Sequence, residues 1–175
     1  LNSMGAKISG SGSNCIRIKG VVSLNPGNHI IMSDRIVAGT FILAAVMINK
    51  NFIVENFNPK HLTSLITVLK NMNANIEITD SSIRIYPSQE IIATEIETAP
   101  YPGFPTDLQA QIMALMSLAK GKSKIVEKIF ENRFMHVAEL NRLGAKITIK
   151  NDTAYIQGGI EFKGAQVMAS DLRAS

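Results

Sequence analysis

Apolar residues recur along this chain with two different spacings, which predict alternating helices and strands. Apolar positions three or four residues apart predict helices with one buried face, whereas strict alternation predicts half-buried strands. The predicted helices are Phe41–Ile48, Leu62–Leu69, Gln109–Leu118 and Val137–Leu143. The predicted strands are Phe52–Asn56, Lys124–Glu127 and three hairpins that cross Ile8–Ile18, Ile76–Ile85 and Ile147–Ile156. This mixture indicates an α/β fold in which helices pack on sheets or on each other.

One short motif occurs three times and divides the chain into similar units. It starts at Leu1, Leu69 and Leu140, and each leucine is followed four residues later by Gly or Asn and then by Ala, a polar residue and Ile. Glycine and asparagine suit the left-handed end of a helix, so each copy predicts a helix end that leads into a hairpin. The alanines of successive copies are 68 and 71 residues apart. The predicted unit is therefore strand, helix, strand, helix, strand, strand in about 70 residues.

Acidic residues stand at three predicted helix starts, at Asp34, Asp107 and Asp171. An aspartate at this position accepts hydrogen bonds from free backbone N–H groups, so the pattern predicts a helix N-cap at each. Asp107 differs in its setting, because three prolines and a glycine in Pro100–Pro105 stiffen the backbone before it. A stiff loop that carries one carboxylate also suits a general base, and both interpretations stand for Asp107.

Two arginines lie where an anion or a carboxylate would stabilise them. Arg133 ends the polar run Glu131-Asn132-Arg133 between two phenylalanines. It is interpreted either as part of a binding surface or as an ion-pair partner of Asp107 or of a helix C-terminus. Arg173 follows Asp171 by two residues on a predicted first helical turn, where the helix dipole disfavours a cation. A bound anion nearby would account for that placement.

Composition narrows the class of protein. Hydrophobic residues make up 46% of the 175 residues and charged ones 18%, which is typical of a globular protein and not of a disordered one. No apolar run reaches the roughly 18 residues of a membrane span, so no membrane partner is expected. A single cysteine, Cys15, excludes an intramolecular disulfide and suits a reducing cytoplasm.

Charge and histidine spacing exclude two kinds of site. The net charge is +4, but the basic residues are scattered and only Lys120–Lys128 is locally rich in lysine. Nucleic acid is therefore not an expected partner, because no basic stripe with interleaved aromatic residues is present. The three histidines show no paired spacing and no cysteine neighbours, so no metal site is expected.

Three long motifs, Pro100–Gln111, Phe130–Val137 and Gly164–Ser175, resemble the enolpyruvyl transferase family, and most closely its branch that acts on UDP-N-acetylglucosamine. The resemblance covers essentially the whole chain. It implies a fold in which six βαβαββ units form two inside-out α/β barrels with the active site in the cleft between them. The chain would contain part of that fold.

The resemblance also implies a reaction. The enolpyruvyl group of phosphoenolpyruvate would pass to the 3′-hydroxyl of UDP-N-acetylglucosamine with release of phosphate, as the first committed step of peptidoglycan synthesis. No cofactor and no metal would take part. Two alternatives stay open, namely the related transferase that acts on shikimate 3-phosphate and a binding or structural module that uses the repeat as a scaffold.

Matching positions in the motifs imply roles for five residues. Asp107 would contact and deprotonate the sugar hydroxyl, which is a poor nucleophile without a base. Ile129 would meet the sugar nucleotide through its backbone. Arg133, Asp171 and Arg173 would line the same cleft, where the planar guanidinium suits phosphate and carboxylate groups.

The chain departs from the family pattern in what it lacks. The family's reactive cysteine lies in a glycine-rich loop, and Cys15 is not in such a loop. Residues 1–22 are therefore expected to be the tail of the cysteine-bearing domain, and residues 30–175 to be most of the second domain. This interpretation makes the chain a fragment without transferase activity of its own, and its partner the remainder of the same enzyme.

Overall fold

The computed structural model describes residues 1–169, which fall into two compact units, Leu1–Met32 and a second that begins at Ser33. The first unit contains a 3-10 turn and an antiparallel hairpin of β1 (Lys7–Ser9) and β2 (Arg17–Lys19). Cys15 falls within the predicted hairpin Ile8–Ile18, but it lies exposed before β2 and outside the strand. The reason is local, because the Ser13 hydroxyl bonds the Cys15 carbonyl and holds a turn there.

The second unit contains four helices and seven strands within the described residues. The helices are α1 (Arg35–Ile48), α2 (Thr63–Asn71), α3 (Gln109–Leu118) and α4 (His136–Arg142). The strands are β3 (Phe52–Glu55), β4 (Ile76–Ile78), β5 (Ser82–Ile85), β6 (Glu95–Glu97), β7 (Lys122–Val126), β8 (Lys146–Lys150) and β9 (Thr153–Gln157). They form a three-stranded sheet in the order β3-β5-β4 and a four-stranded sheet in the order β6-β7-β9-β8.

The two sheets repeat one pattern of strand pairing. In each, a hairpin is formed by consecutive strands, and its last strand also pairs antiparallel with the strand that follows the first helix. The predicted unit is complete in β6-α3-β7-α4-β8-β9, where β6 pairs parallel with β7. The first copy has no strand ahead of α1, so its predicted leading strand is wrong. Residues 20–34 make no ladder hydrogen bonds, and β3 is left as an edge strand within the described part of the chain.

The thrice-repeated sequence motif forms the same helix end each time. Its Gly or Asn adopts positive φ, at 94° in Gly5, 64° in Asn73 and 103° in Gly144. The alanine that follows donates from its backbone N–H to the carbonyl of the motif's leucine, at distances of 3.2, 2.9 and 3.0 Å. This bond turns the chain out of the helix and into the hairpin. The repeat found in the sequence therefore has one structural cause.

Helices α1 and α3 pack closely against each other in the core of the second unit. Gly39 permits the approach, since a Cβ atom there would lie 2.6 Å from Leu108 Cδ1 and 3.3 Å from Leu65 Cδ2. Both leucines are fully buried. The Gln111 amide nitrogen also donates to Thr40 Oγ1 across this contact, at 3.0 Å. The start of α3 is thus fixed against α1, which matters for the residues just before it.

Candidate active site

The segment Pro100–Pro105, called the proline loop below, is closed on itself by its own backbone. The Ala99 N–H donates to the Phe104 carbonyl at 3.0 Å and the Gly103 N–H to the Pro100 carbonyl at 2.8 Å. A Cβ atom at Gly103 would lie 2.5 Å from Ala99 Cβ, so only glycine fits there. The Tyr101–Pro102 peptide bond is cis. The two backbone hydrogen bonds and the close approach at Gly103 make the loop compact.

Two side-chain contacts hold the proline loop to the helices beside it. The Ser64 hydroxyl in α2 donates to the Gly103 carbonyl at 3.1 Å. The Arg35 guanidinium, at the start of α1, lies 5.5 Å from the centre of the Tyr101 ring, within the range of a cation–π contact. The loop thus has a fixed place relative to α1 and α2.

Asp107 does not cap α3, so the prediction of an N-cap is wrong for this residue. A 3-10 turn, Thr106–Leu108, stands between the proline loop and α3, and no side chain caps either element. The turn moves Asp107 out of the capping position and leaves its carboxylate available to other groups. By contrast, Asp34 caps α1 as predicted, because its Oδ1 accepts from the Ile36 N–H at 2.7 Å and the Val37 N–H at 3.4 Å.

Asp107 forms an ion pair with Arg133 instead of capping a helix. Arg133 Nη2 donates to Asp107 Oδ1 at 2.9 Å, which confirms one of the interpretations made from the sequence. Among residues 1–169, no donor contacts Asp107 Oδ2. The carboxylate is therefore oriented through one oxygen while the other stays available to a hydroxyl group.

The guanidinium of Arg133 is itself held on several sides. Its Nη1 donates to Thr106 Oγ1 at 3.1 Å, beside Asp107, and its carbon lies 5.0 Å from the centre of the Phe130 ring. Asn132 adopts a φ of 57°, a left-handed conformation that asparagine tolerates, and so turns the backbone just before Arg133. The side chain of Arg133 is 17% exposed, whereas that of Asp107 is 37% exposed. The Asp107 carboxylate is therefore more exposed to solvent than the Arg133 guanidinium.

Glu127 lies behind this ion pair as a buried carboxylate that was not singled out from the sequence. It is 4% exposed and follows β7 directly. Burial of an ionised carboxylate is costly unless hydrogen bonds replace its water. Five donors do so: Thr98 Oγ1, Thr106 Oγ1, Gln109 Nε2, Ile129 N and Phe130 N.

The structure links Ile129 to Asp107 through these bonds. The Ile129 N–H donates to Glu127 Oε1 at 2.8 Å, Thr106 Oγ1 donates to Glu127 Oε2 at 2.8 Å, and Thr106 accepts from Arg133. Because its N–H is engaged, the carbonyl is the backbone group of Ile129 that remains for a ligand. Asp107, Ile129 and Arg133 thus belong to one bonded cluster. Asp171 and Arg173 lie outside the described residues.

A cavity of about 480 Å³ opens next to Ile129. Its lining comes from the segment after β7 and from the turn between β8 and β9, which contributes Asn151 and Asp152. Lys128 and Asp152 pair at its rim at 2.7 Å. The hydrogen bond with Asp152 raises the pKa of Lys128 above 10.5, and the bond with Lys128 lowers the pKa of Asp152 below 3.8. Both groups therefore stay charged around neutral pH.

Lys120, Lys124 and Lys128 of the lysine-rich segment pair with acidic side chains at 3.0, 3.1 and 2.7 Å. No group of three or more histidine, cysteine or acidic residues within positions 1–169 has the geometry to hold a metal ion. No helix in the same range is long and apolar enough to cross a membrane.

Comparison with known proteins places this chain in a family. The sequence model described as EPSP synthase (3-phosphoshikimate 1-carboxyvinyltransferase) matches residues 1–175. The chain belongs to the EPSP synthase family. The family resemblance seen in the sequence is thereby confirmed.

Two curated relatives are about half identical to this chain. UDP-N-acetylglucosamine 1-carboxyvinyltransferase of Desulfosudis oleivorans is 50% identical over 175 residues, and the protein of the same name from Methylacidiphilum infernorum is 51% identical. Each comparison covers 100% of this chain and 42% of the relative. The chain therefore spans less than half the length of the curated relatives it matches.

Solved structures confirm the expected fold. The enolpyruvyl transferase NikO from Streptomyces tendae superposes with a TM-score of 0.86 at 23% identity, over 99% of this chain and 42% of that one. EPSP synthase from Acinetobacter baumannii gives a TM-score of 0.71 at 20% identity, over 99% and 44% of the two chains. Residues 1–169 contain part of this fold and no closed barrel.

The sequence contains a signal for Glu127. Ser123 and Ile125 are buried positions of β7, and the period of two places Glu127 on the same inward face. A charged residue at an inward position is uncommon unless it is paired or hydrogen-bonded. That conflict between register and polarity could have marked the residue.

Proposed function

We propose that this chain is part of an enzyme that transfers the enolpyruvyl group of phosphoenolpyruvate to the 3′-hydroxyl of UDP-N-acetylglucosamine. The names of relatives at about 50% identity support the sugar-nucleotide acceptor and the transferred group. The observation that carries the proposal is the arrangement of Asp107, which is bonded to Arg133 through one carboxylate oxygen and has the other available. The stiff proline loop directly precedes the turn that carries Asp107 and limits its movement.

The chemistry assigned to Asp107 is removal of the hydroxyl proton. In the addition step, the hydroxyl oxygen forms a bond to C2 of phosphoenolpyruvate, its proton passes to Asp107, and another acid adds a proton at C3. In the elimination step, C3 loses a proton and the bond from C2 to the phosphate oxygen breaks. The enolpyruvyl ether and inorganic phosphate result. A positioned carboxylate typically contributes about 10²- to 10⁴-fold to such a proton transfer.

The other residues of the proposed site bind and orient the substrates. Arg133 holds the carboxylate of Asp107 and adds positive charge near anionic ligands. The carbonyl of Ile129 is proposed to accept a hydrogen bond from the sugar nucleotide. Asp171 and Arg173 are assigned to the same cleft on the motif that they match. No cofactor or metal has a part in this proposal.

Phosphate release by the intact protein tests the proposal. The protein that carries this chain is supplied with phosphoenolpyruvate and UDP-N-acetylglucosamine, and wild type is compared with Asp107→Asn. The expected result is turnover by the wild type and a loss of about 10²-fold or more in the variant. Equal turnover in both proteins would contradict the role of Asp107.

A second candidate acceptor is shikimate 3-phosphate, because the matching family model carries the name of that transferase. The same assay with shikimate 3-phosphate in place of the sugar nucleotide distinguishes the two. Turnover with shikimate 3-phosphate but not with UDP-N-acetylglucosamine as the acceptor would favour this candidate. Turnover with neither acceptor would favour a scaffold without catalysis.

The wider setting is part of the same proposal. The reaction would be the first committed step of peptidoglycan synthesis and so would serve cell-wall growth and cell division. A single cysteine supports a cytoplasmic location. Residues 1–22 are proposed as the tail of a cysteine-bearing domain and residues 30–175 as most of the second domain. The remainder of that enzyme would be the partner of this chain.

A further inference from the structure

We propose that Glu127 is a positioning residue for this reaction, which sets the turn that carries Asp107 and the backbone at Ile129 in one fixed arrangement. The inference rests on the proposed function. It adds a residue that makes no contact with the reacting atoms and acts through hydrogen bonds to those that do.

The bonds of Glu127 join three parts of the chain that are distant in sequence. Oε1 accepts from Thr98 Oγ1, at the end of β6, at 2.8 Å. The same oxygen accepts from the backbone N–H groups of Ile129 at 2.8 Å and Phe130 at 3.1 Å. Oε2 accepts from Thr106 Oγ1 at 2.8 Å and from Gln109 Nε2. Two of these parts contain or adjoin residues of the proposed site, namely Thr106–Gln109 with Asp107 and Ile129–Phe130 with Ile129.

These contacts link Glu127 to both sides of the site, directly at Ile129 and through Thr106 at Arg133 and Asp107. On one side, Thr106 accepts from Arg133 and precedes Asp107, so its hydroxyl sets both members of the ion pair. On the other side, the bond to the Ile129 N–H fixes the peptide whose carbonyl is assigned to the sugar nucleotide. A shift of the Glu127 carboxylate would therefore move the base and the binding peptide together.

Ionisation of Glu127 is what makes the arrangement fit. An ionised carboxylate only accepts hydrogen bonds, and all five of its neighbours donate. Hydrogen bonds to a charged acceptor are roughly twice as strong as neutral ones. Among residues 1–169, no cation forms an ion pair with Glu127, so the hydrogen bonds alone compensate its burial.

Replacement of Glu127 by glutamine keeps its size and removes its charge. One acceptor oxygen would become an N–H₂ group that faces donors, so Thr106 or Gln109 would have to rotate. Gln109 is able to do so, because its Oε1 is buried without a hydrogen-bond partner in the described part of the chain. The variant is thus expected to fold with its network rearranged, and a rearranged network displaces the Asp107 turn.

A role in fold stability alone gives a different result from a positioning role. Loss of stability lowers the melting temperature and the fraction of folded enzyme, but leaves kcat and KM per folded molecule unchanged. Loss of positioning lowers kcat through Asp107 and raises KM for the sugar nucleotide through Ile129. A misplacement of about 1 Å costs up to about 10²-fold in rate.

The experiment compares the intact enzyme with Glu127→Gln and with Glu95→Gln as a matched control, since Glu95 is an exposed glutamate that pairs with Lys124. Melting temperature, kcat and KM for UDP-N-acetylglucosamine are measured, together with the affinity for that ligand by calorimetry. We expect about a tenfold loss in kcat and about a tenfold rise in KM for Glu127→Gln, a matching loss of affinity, and no change for Glu95→Gln.

This experiment distinguishes failure of the proposed function from failure of the positioning role. An inactive wild type would overturn the proposed function itself. An active wild type with unchanged kcat, KM and affinity in folded Glu127→Gln would overturn the positioning role only. If Glu127→Gln does not fold, the same comparison is made between Thr98→Val and Thr98→Ser, because valine removes one donor to Oε1 and serine keeps it. Equal kinetics in that pair would likewise overturn the positioning role.

Discussion

Arg133 and Asp107 are 26 residues apart in the chain, and Arg133 Nη2 donates to Asp107 Oδ1 at 2.9 Å. The pair joins the turn after the proline loop to the turn before α4. Since the arginine also bonds Thr106 and lies over the Phe130 ring, the geometry of the carboxylate depends on the guanidinium as a planar group and not only on its charge.

Replacement of Arg133 by lysine tests that dependence. Lysine keeps the charge but cannot bond Asp107 and Thr106 at the same time with a fixed fork, so we expect kcat/KM of the intact enzyme to fall about 10- to 100-fold. Arg142→Lys is the control, because Arg142 is half exposed and pairs with Glu139 on the helix surface. A loss of the same size in the control, or none in Arg133→Lys, would contradict the assignment.

Removal of the Asp34 side chain tests the difference between the two acidic helix starts. Asp34 caps α1 and Asp107 caps no helix, so Asp34→Ala is expected to destabilise α1 by about 1 kcal/mol. Hydrogen exchange of the α1 amides in the intact protein measures this loss. Asp34→Asn is the control, because asparagine caps nearly as well. Equal exchange in the alanine and asparagine variants would show that the cap contributes little.

The close contact between Gly39 and Leu108 is expected to make their substitutions interdependent. Leu108→Ala removes a fully buried side chain and should cost about 2–5 kcal/mol. Gly39→Ala places a methyl group 2.6 Å from Leu108 Cδ1 and should overpack the same space. The double variant should therefore be more stable than the sum of the two losses by about 1 kcal/mol or more. Denaturant unfolding of all four proteins measures this, and simple additivity would argue against the contact.

The ion pair of Lys128 and Asp152 predicts a specific dependence of stability on pH. The pKa of Asp152 is lowered in the folded state, so its contribution is complete above 3.8 and is lost as the pH falls through the folded value. The pKa of Lys128 is raised, so its contribution is complete below 10.5 and is lost as the pH rises through the folded value. Between these limits the pair adds no pH dependence.

Melting temperatures of wild type and Asp152→Asn measure this dependence. The difference between the two proteins should be constant between about pH 5 and pH 9 and should shrink below about pH 3.8. Moderate salt should reduce the difference, because both side chains are partly exposed. A difference that grows on acidification would contradict the assignment.

The sequence predicted those parts of the fold that depend on local rules. The motif that begins at Leu1, Leu69 and Leu140 gave the helix ends and hairpins, because a left-handed residue followed by a fixed backbone bond is a local device. The prediction of a leading strand in the first repeat was wrong. A short strand is stable only when it pairs with another strand, and residues 20–34 have no partner strand in the described part of the chain.

The candidate site divides in the same way. The sequence predicted a carboxylate on a stiff loop. It did not predict the 3-10 turn that removes Asp107 from the capping position, because a shift of the helix start by one or two residues decides which residue is the cap. Glu127 was missed because several of its donors are distant in sequence, the farthest being Thr98 at 29 residues. Long-range polar contacts of this kind leave only a weak trace in a single sequence.

The bonds around Glu127 have a consequence for anyone who recombines enolpyruvyl transferase sequences. Thr98, Thr106, Gln109 and Glu127 act as one set, although a boundary between exchanged segments could easily fall between them. A chimera that takes the proline loop from one parent and the end of β7 from another should keep the geometry of the candidate site only when each donor still meets an acceptor. The smallest exchangeable unit in this region therefore runs from Thr98 to Phe130.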